Sequence, residues 1–589
     1  MNETNLTDSP GDEIAAGPRS AFDRLSATTV AVPLLIAYGA ALFLLTLGSY
    51  PLYTKGEPRE AETIAEIANG GSVILPLRAG IEVPSKPLLM HWTAALASVV
   101  SGRLNERVVR FPSAMFAIAG VLACFLYARL LFDPATALIA ALMLGTSVQY
   151  LQAGTAARVD MTLSFFMEVA FFEFLLIAEG LTSRRMLLYV AIALAVLSKG
   201  PVGLVLPAAT AFVFMAVRRR WELLRTLSLV RGAILVAMVA GSWYVAAIFA
   251  GGREFIDRQV LAENVFRFIP LGETNEGHAH PFYFLEFALI AGYIPWIATI
   301  PLVVVQAVRG GRKIDSRITY LIIWIAVVLV FYSFAQSKRG VYLLGLYPAL
   351  ATASAVYLYD SIRSASQALL LKRVTTIVSG IGFAGAGAAG IIAAAVMLSW
   401  PSAFESLLNA AGIKAGGFGA ALRTAAVGNW YLACPLTVVC VIVGAMLIRN
   451  RASVERLVGC IATGFAAASI ATNLVVLPAL GNTLGLRRFA GQVMHIVGES
   501  PAAYLYGLNY GFAYYSGRNY PVVTAREMPS MPYLIAWTSS WDSLKENRRA
   551  PFEVVITSNP TELDGSDTMV LLRRRKSPPD APAPAASPG

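Results

Sequence analysis

Long apolar runs are the feature of this 589-residue sequence that most limits its fold. A helix needs about 20 apolar residues to cross the hydrocarbon core of a membrane, and somewhat fewer where flanking side chains reach the surface. About thirteen runs approach that length: 29–49, 112–131, 134–149, 161–179, 186–197, 201–217, 232–250, 283–306, 318–334, 341–359, 374–398, 430–447 and 458–478. The sequence therefore predicts a polytopic α-helical membrane protein with about thirteen spans.

Composition supports lipid as the main solvent of the chain. It is 56% hydrophobic and only 14% charged, whereas soluble domains carry roughly 25% charged residues. A net charge of +11 would suggest nucleic acid as the partner of a soluble protein. Here most of the basic excess lies in short loops between apolar runs, so we expect a membrane and no nucleic acid.

The orientation follows from these loops, because short loops rich in Lys and Arg stay in the cytoplasm. We expect the N-terminal segment 1–28 to be cytoplasmic and the first apolar run to be kept as a helix. Every second short loop is then basic; these loops carry Arg184, Arg185, Arg218–Arg220, Arg225, Arg309, Arg312, Lys313, Arg363, Lys372, Arg373, Arg449, Arg451 and Arg456. An odd number of spans then places the C-terminus outside.

Two long segments, 50–111 and 251–282, fall on the outer side of the transmembrane domain 29–483. The first contains Pro58–Asn69, with apolar residues at helical spacing, and the short apolar stretch Leu88–Val100. We expect both to be amphipathic helices that lie on the periplasmic membrane surface.

The composition changes after about residue 484. Short apolar stretches then alternate with Gly, Asn, Pro and Asp, at Ala502–Leu508, Pro521–Thr524, Tyr533–Trp537, Phe552–Thr557 and Thr568–Leu572. This pattern predicts a small periplasmic α/β domain over 484–575. The tail 576–589 is rich in Pro, Ala and Ser, and we expect it to be disordered.

Assigning each loop to one side of the membrane places a set of ionisable and polar residues at the outer boundary. They come from five segments and comprise Glu57, Arg59, Glu60, Lys86, Arg158, Asp160, Lys199, His278, His280, Lys338 and Tyr342. Ionisable groups at a membrane boundary are costly unless solvated or paired, so their convergence indicates a polar cavity. The alternatives are that single Lys or Arg side chains reach from helix ends toward water, and that Asp160 caps its helix.

These residues lie in motifs that resemble a known family. Similar motifs occur, in the same order, in bacterial GT-C glycosyltransferases: Gly56-Glu57-Pro58-Arg59-Glu60, Val83–Trp92, Glu106–Ser113, Ala157–Asp160, Leu197–Pro201, Glu263-Asn264, His278 with Pro281, and Ser337-Lys338 with Tyr342. The resembled subgroup is that of lipid A aminoarabinose transferases and protein O-mannosyltransferases. The similarity covers about residues 30–360 and implies a multi-pass protein of the bacterial inner membrane, with thirteen spans followed by a periplasmic domain.

The resemblance implies that a sugar moves from a polyprenyl-phosphate donor to an acceptor. Charge that develops on the leaving phosphate needs preorganised cations, and the donor-phosphate contacts implied are Arg59, Lys86, Arg158, Lys199, Lys338 and Tyr342. Glu57 and Asp160 are the candidate catalytic carboxylates, acting as base toward a hydroxyl or positioning a phosphate acceptor. Glu60, His278 and His280 are assigned to the acceptor or to accessory roles.

The sequence departs from the family pattern at two places. The usual Asp-Glu pair appears as Gly56-Glu57, so the first acid is missing. Ser85 stands where the aminoarabinose transferases carry a glutamate that resembles a metal ligand, and Ser85 with His278 is a poor pair for zinc. We therefore assign no cofactor and keep a divalent metal at His278 as an alternative.

Three kinds of function fit these features. We expect the acceptor to be lipid A, another lipid or an envelope glycan; a protein acceptor is the alternative within the family. A polytopic lipid or sugar transporter is the alternative from another class. Against it, the sequence has no internal repeat, and its charges gather at one face instead of the membrane midplane.

Overall fold

The computed structural model describes residues 24–54, 56–265, 280–310, 315–335, 337–363, 368–413, 417–449, 454–561 and 567–575. Its α-helices up to the middle of the chain are α1 Thr28–Gly39, α2 Glu57–Ala68, α3 Leu89–Ser101, α4 Glu106–Leu131, α5 Pro134–Gly145, α6 Val148–Gly154, α7 Val159–Ala178, α8 Arg185–Lys199, α9 Val202–Arg218, α10 Leu223–Thr226, α11 Leu229–Val236, α12 Ser242–Phe255, α13 Phe284–Gly292 and α14 Thr299–Gly310.

The second half continues with α15 Ser316–Ser333, α16 Tyr347–Arg363, α17 Ala368–Ser399, α18 Pro401–Ala410, α19 Phe418–Gly428, α20 Trp430–Arg449, α21 Val454–Leu484, α22 Arg487–Val497, α23 Tyr510–Ser516, α24 Thr538–Asp542 and α25 Glu546–Arg549. Ala40–Leu44, Ala237–Gly241 and Ile256–Val265 are π-helical, and Gly340–Leu346 and Met528–Ser530 are 3₁₀-helical. The strands are β1 Ala502–Leu505, β2 Val522–Val523, β3 Tyr533–Trp537, β4 Phe552–Thr557 and β5 Met569–Arg574.

The helices confirm a polytopic membrane fold but not the number of spans. Within the described residues, seven helices are long and apolar enough to cross a membrane, or eight if the pair α5 and α6, bent by 66°, forms one span. All thirteen runs contain helix, yet several are short or broken. The predicted run 283–306, for example, is two helices, because residues 293–298 interrupt it.

The runs 186–197 and 201–217 form a tight helical hairpin, α8 and α9. Gly200 between them has φ 93° and ψ −160°, a conformation that is open essentially to glycine alone. At Gly203 the two backbones are so close that an added Cβ would lie 2.5 Å from the carbonyl carbon of Ala195. The hairpin therefore holds Lys199, the last residue of α8, at a fixed bend.

The largest core within the described residues lies mainly among α4 to α9, α15 and α16 and includes many aromatic side chains. Trp324 is fully buried, and its ring stacks on Phe171 at a centroid distance of 4.2 Å. The Trp324 indole N–H donates to the carbonyl of Gly345 at 2.9 Å. This contact ties α15 to the 3₁₀ segment that carries Tyr342.

Helices α2 and α3 exist as predicted, but they have different surroundings. Helix α3 exposes Leu96, Val99 and Val100, as expected at a membrane surface. Helix α2 buries seven of its twelve residues and packs against α3 and α23. Protein therefore covers α2 on several sides, and its position on the membrane surface stays a prediction.

The C-terminal domain contains the predicted small sheet, with strand order β2-β1-β3-β5-β4. Strand β1 is parallel to β2 and β3, whereas β5 is antiparallel to β3 and β4. The domain is joined to the outer segment by Tyr515, whose hydroxyl accepts a hydrogen bond from the backbone N–H of Leu52 at 2.7 Å. The tail 576–589 lies outside the described residues.

Candidate active site

Lys199 and Asp160 meet because they lie at adjacent ends of two neighbouring antiparallel helices. Asp160 is in the first turn of α7, and Lys199 ends α8. The Lys199 ammonium donates to Asp160 Oδ1 and lies 4.2 Å from the centroid of the Tyr342 ring, within the range of a cation–π interaction. Asp160 thus binds Lys199, and the structure does not support the alternative that it caps α7.

A small cavity adjoins this ion pair. Asp160 and Ser164 from α7 line one side of it, and Tyr332 and Tyr342 line the other. Both members of the ion pair are close to one tenth exposed, with 9% for Lys199 and 11% for Asp160. The pair is therefore shielded from bulk water but reachable from the cavity.

Lys86 connects the first outer segment to the second. Its ammonium donates to Glu263 in the π-helical segment Ile256–Val265. Lys86 and Arg158 are both close enough for their charges to act on Asp160, and Arg59 is close enough to act on Glu263. The structure thus gathers four of the predicted cations, Arg59, Lys86, Arg158 and Lys199, around two carboxylates.

Ser113 fixes the backbone at Arg158. Its hydroxyl accepts from the Arg158 N–H at 3.1 Å and donates to the Arg158 carbonyl at 3.3 Å. This double contact explains why Arg158 starts α7 in a defined place without a side-chain cap. The charge of the Arg158 guanidinium acts on the carboxylates of both Glu57 and Asp160.

Glu57 is held in a buried ion pair with Arg110. Arg110 Nε and Nη2 donate to the two Glu57 oxygens at 2.7 and 3.1 Å, and the Ala157 N–H adds a bond of 3.1 Å. Burial opposes ionisation, yet Arg110 and the Ala157 N–H hold the pKa of Glu57 below its usual value. Because both oxygens are occupied, the contacts favour a positioning role, and catalysis by Glu57 stays a prediction.

Arg110 also joins the chain before α2 to the start of α4. Its guanidinium donates to the carbonyls of Leu47, Tyr50 and Pro51 at 2.8 to 3.3 Å. It lies 3.9 Å from the centroid of the Tyr50 ring. Arg110 therefore organises the outer segment, although the sequence motif gave it no role.

Glu60 forms a second buried cluster on α2. Its Oε2 lies 2.7 Å from His91 Nε2, and its Oε1 accepts from Arg59 at 3.2 Å. Burial opposes ionisation, but the hydrogen bond with His91 and the charge of Arg59 hold the pKa of Glu60 below its usual value. Glu60 thus orients Arg59 toward the site.

Lys338 and His280 are neighbours, as the sequence suggested for the outer face. The Lys338 ammonium donates to the backbone carbonyl of His280 at 3.1 Å, and the His280 ring stacks on Phe284 at 4.0 Å. His278 lies outside the described residues. Among the residues that are described, no three His, Cys, Asp or Glu side chains group as a metal site would require, and a metal at His278 stays a prediction.

Glu82 links three parts of the chain and was not anticipated. Its carboxylate accepts from Arg258 at 2.7 Å and from the hydroxyl of Tyr510 in the C-terminal domain, and Arg78 lies 3.7 Å away. Arg258 is on the same π-helical segment as Glu263. Two sequence features could have pointed to this link: Glu82 directly precedes the Val83–Trp92 motif that contains Lys86, and Glu263 is one of the residues that carry the family resemblance.

Known proteins share this sequence pattern over part of their length. Residues 85–244 match the family model of dolichyl-phosphate-mannose-protein mannosyltransferase. The undecaprenyl phosphate-alpha-4-amino-4-deoxy-L-arabinose arabinosyl transferase of Pectobacterium atrosepticum is 29% identical over 62% of this chain and 64% of its own length. An uncharacterized protein of Aquifex aeolicus is 26% identical over 56% of this chain and 63% of its own. The chain thus matches slightly less than two thirds of the length of each of these two relatives.

Solved structures define the fold more completely. ArnT from Cupriavidus metallidurans bound to undecaprenyl phosphate superposes over 92% of this chain and 98% of its own, with a TM-score of 0.71 and 19% identity. The Archaeoglobus fulgidus oligosaccharyltransferase covers 86% of this chain, with a TM-score of 0.51 and 14% identity. The chain has the fold of the GT-C glycosyltransferases. Within that class, its sequence relationships lie with the aminoarabinose transferases and protein mannosyltransferases.

Proposed function

We propose that this chain is a membrane glycosyltransferase that moves a sugar from a polyprenyl-phosphate donor to lipid A or another envelope lipid or glycan. The observation that carries the proposal is the grouping of Lys86, Arg158 and Lys199 around Asp160 at one end of the helical bundle. The phosphate group of a donor lipid in the outer leaflet needs cations at the membrane boundary, whereas the hydrocarbon tail of that lipid needs the adjoining apolar helices. We place this site at the periplasmic face.

Leaving-group stabilisation is the role we assign to the lysines. Each is a compact charge paired to a carboxylate, Lys86 to Glu263 and Lys199 to Asp160. A donor phosphate can replace the carboxylate as the partner of either ammonium and gains negative charge as the glycosidic bond breaks. Interactions that strengthen at that moment raise turnover more than they raise donor affinity.

Asp160 is the carboxylate best placed to act on the acceptor. It borders the cavity, whereas Glu57 has both oxygens occupied by Arg110 and the Ala157 N–H. Toward a hydroxyl acceptor Asp160 serves as general base. A phosphate acceptor is already nucleophilic, and Asp160 then positions Lys199 or stabilises the cationic character of the sugar.

The similar proteins support this donor. One relative is a transferase that uses undecaprenyl phosphate-linked aminoarabinose, and the structure of similar fold contains undecaprenyl phosphate. The match of residues 85–244 to a protein mannosyltransferase model favours a protein acceptor as the second candidate. A lipid acceptor remains the first, since the missing acid at Gly56 departs from the usual pattern of the mannosyltransferases.

The test is turnover by the purified full chain in lipid. Undecaprenyl-phosphate-linked aminoarabinose would be supplied with lipid A or with a peptide acceptor, and products would be identified by mass spectrometry. We expect lipid A to be modified, and Lys86→Ala and Asp160→Asn each to lower turnover by about a hundredfold. Lys338→Ala should also lose most activity. Lys86→Arg should retain only part of the activity, because the planar guanidinium group of Arg replaces the compact ammonium group of Lys.

Arg103→Ala is the matched control, since Arg103 is an exposed cation of the same outer segment. Near-normal turnover in Lys86→Ala and Lys338→Ala would contradict the phosphate-binding role. Modification of the peptide alone would favour the second candidate.

The orientation has a separate test. In intact cells, an impermeant thiol reagent should label Gly416→Cys and spare Arg219→Cys, because the basic loop that contains Arg219 is expected inside. The unsubstituted chain gives the background from the native cysteines. Equal labelling of both variants would contradict a periplasmic site.

A further inference from the structure

The helical bundle has an apolar groove whose lining residues differ from those of the cavity beside Asp160. Helices α4 and α8 both pack against α7 and leave between them a groove of about 510 Å³. Phe165, Phe166 and Val169 of α7 line it beside apolar side chains of α4 and α8. Such a surface on a membrane protein suits a hydrocarbon chain.

One end of the groove is polar. Tyr127 of α4 and Arg184, directly before α8, line that end. The Tyr127 hydroxyl donates to Oε1 of the buried Glu173 at 2.8 Å, and Arg184 Nη2 forms an ion pair with the same oxygen at 2.8 Å. Since Lys199 lies at the opposite end of α8, this polar end belongs to the membrane boundary opposite to the candidate active site.

The length of the groove fits one leaflet. Along α8 it extends from Arg184 to Leu194, and the rise of an α-helix makes this about 15 Å. The hydrocarbon core is about 30 Å thick, so the groove covers about half of that depth. A single acyl chain of the nearer leaflet has that reach.

The charge at the polar end selects the head group. Arg184 is about half exposed although it bonds to Glu173, and a second arginine, Arg185, follows it. Nε of Arg185 is buried and has no hydrogen-bond partner in the described part of the chain. Arg184 is the cation that lines the groove, and the charge of the adjacent Arg185 adds to it against the carboxylate of Glu173. Guanidinium groups bind phosphate by paired hydrogen bonds.

We propose that this groove is a binding site for an anionic phospholipid of the leaflet opposite to the candidate active site. One acyl chain lies along Phe165, Phe166 and Val169, and the phosphate group lies at Arg184 and Arg185. The site is separate from the donor site, so it stands whether or not the proposed transferase activity is correct.

The test is lipid binding by the full chain, measured by native mass spectrometry with phosphatidylglycerol or phosphatidylcholine. We expect one phosphatidylglycerol to bind at least about fivefold more tightly than phosphatidylcholine. Arg184→Gln removes the head-group contact, and Leu126→Trp fills the groove without changing a charge. Each should weaken phosphatidylglycerol binding by about fivefold or more.

Leu204→Trp is the matched control, because Leu204 of α9 is 41% exposed, close to the 42% of Leu126, and does not line the groove. Unchanged binding in Leu126→Trp, or equal losses in Leu126→Trp and Leu204→Trp, would overturn the assignment to this groove. Equal affinity for the two lipids would overturn the head-group preference. Displacement of the bound lipid by undecaprenyl phosphate alone would show a donor-lipid site instead and would also overturn the proposal.

Discussion

Glu57 shows at the scale of a single residue how burial changes the expected effect of a mutation. Sequence position alone placed it at a solvated boundary, where a neutral substitution should leave folding intact. In the structure its side chain is 1% exposed and faces a fully buried Arg110. Removing one member of a buried ion pair leaves an uncompensated charge, which is more costly than losing an exposed pair.

We therefore expect Glu57→Gln to destabilise the protein by about 3 kcal/mol or more. Thermal unfolding of the purified protein in detergent measures this. Glu553→Gln is the matched control, because Glu553 binds Arg573 at 2.6 Å at an exposed site of the C-terminal domain and should change stability by less than about 1 kcal/mol. Equal melting temperatures for Glu57→Gln and the unsubstituted chain would contradict a structural role for the pair.

The carboxyl group of Glu62, also on α2, should make the stability of the protein depend on pH. Burial, with a smaller contribution from Glu66, raises its pKa to about 7. Because the folded-state pKa is above the unfolded value, the stability that Glu62 contributes is complete below about pH 4.5 and is lost as pH rises through about 7. Glu62→Gln should therefore raise the melting temperature at pH 8.5 and change it little at pH 4.5.

The size of this stability difference follows from the difference between the folded and unfolded pKa of Glu62. At pH 8.5, where the carboxylate is fully ionised, it corresponds to roughly 3 kcal/mol in the free energy of unfolding. Glu499→Gln, at an exposed site, should have no effect at either pH. A melting difference that is the same at pH 4.5 and pH 8.5 would show that Glu62 does not titrate in this range.

At the scale of secondary-structure elements, the hairpin of α8 and α9 decides where Lys199 lies. From the sequence, the short apolar runs 186–197 and 201–217 could be two separate short membrane spans or one interrupted span. The structure resolves this through glycine: Gly200 makes the bend, and Gly203 permits backbone contact with Ala195 and Val196. The close packing of α8 against α7 then brings Lys199 to Asp160.

We expect Gly203→Ala to separate the hairpin and displace Lys199. An added Cβ would meet backbone atoms at 2.5 and 2.6 Å, which cannot move as a flexible side chain can, and overpacking costs about 1–3 kcal/mol. Both the melting temperature and turnover should fall. Gly459→Ala is the control, since nothing lies within 4 Å of the place that an added Cβ would take there; equal effects of the two substitutions would contradict the argument.

At the scale of the whole molecule, the C-terminal domain belongs to the outer surface of the site. Helix α23 packs on α2, and Tyr510 bonds to Glu82, which also binds Arg258. Arg258 and Glu263 lie on one π-helical segment, and Glu263 pairs with Lys86. The domain is thus connected through one hydrogen bond and two ion pairs to Lys86, for which we propose a role in binding the donor phosphate.

Loss of the Tyr510 hydroxyl should loosen this connection. Hydrogen bonds to charged groups contribute about 1.5–3 kcal/mol, so Tyr510→Phe should speed amide hydrogen exchange in residues 256–263 by roughly tenfold. Turnover should fall while the melting temperature changes little. Tyr506→Phe, at an exposed tyrosine of the same domain, is the control; unchanged exchange in Tyr510→Phe would show that the domain does not hold the segment.

The sequence alone determined the membrane class, the helical runs, the five strands and the motifs of the outer side. Each is a local property, set by apolar length, periodicity and turn residues over a few to about twenty positions. The family resemblance then identified Lys86, Asp160, Lys199 and Tyr342, which the structure brings close together.

Only the tertiary structure decided which charges pair. Glu57 bonds to Arg110, 53 residues away, and Lys86 bonds to Glu263, 177 residues away. Ion pairs between distant segments depend on which helix ends meet and on how much water the packing excludes, and neither is encoded in the spacing of a motif. For the same reason the sequence could not show that α2 packs against α3 and α23.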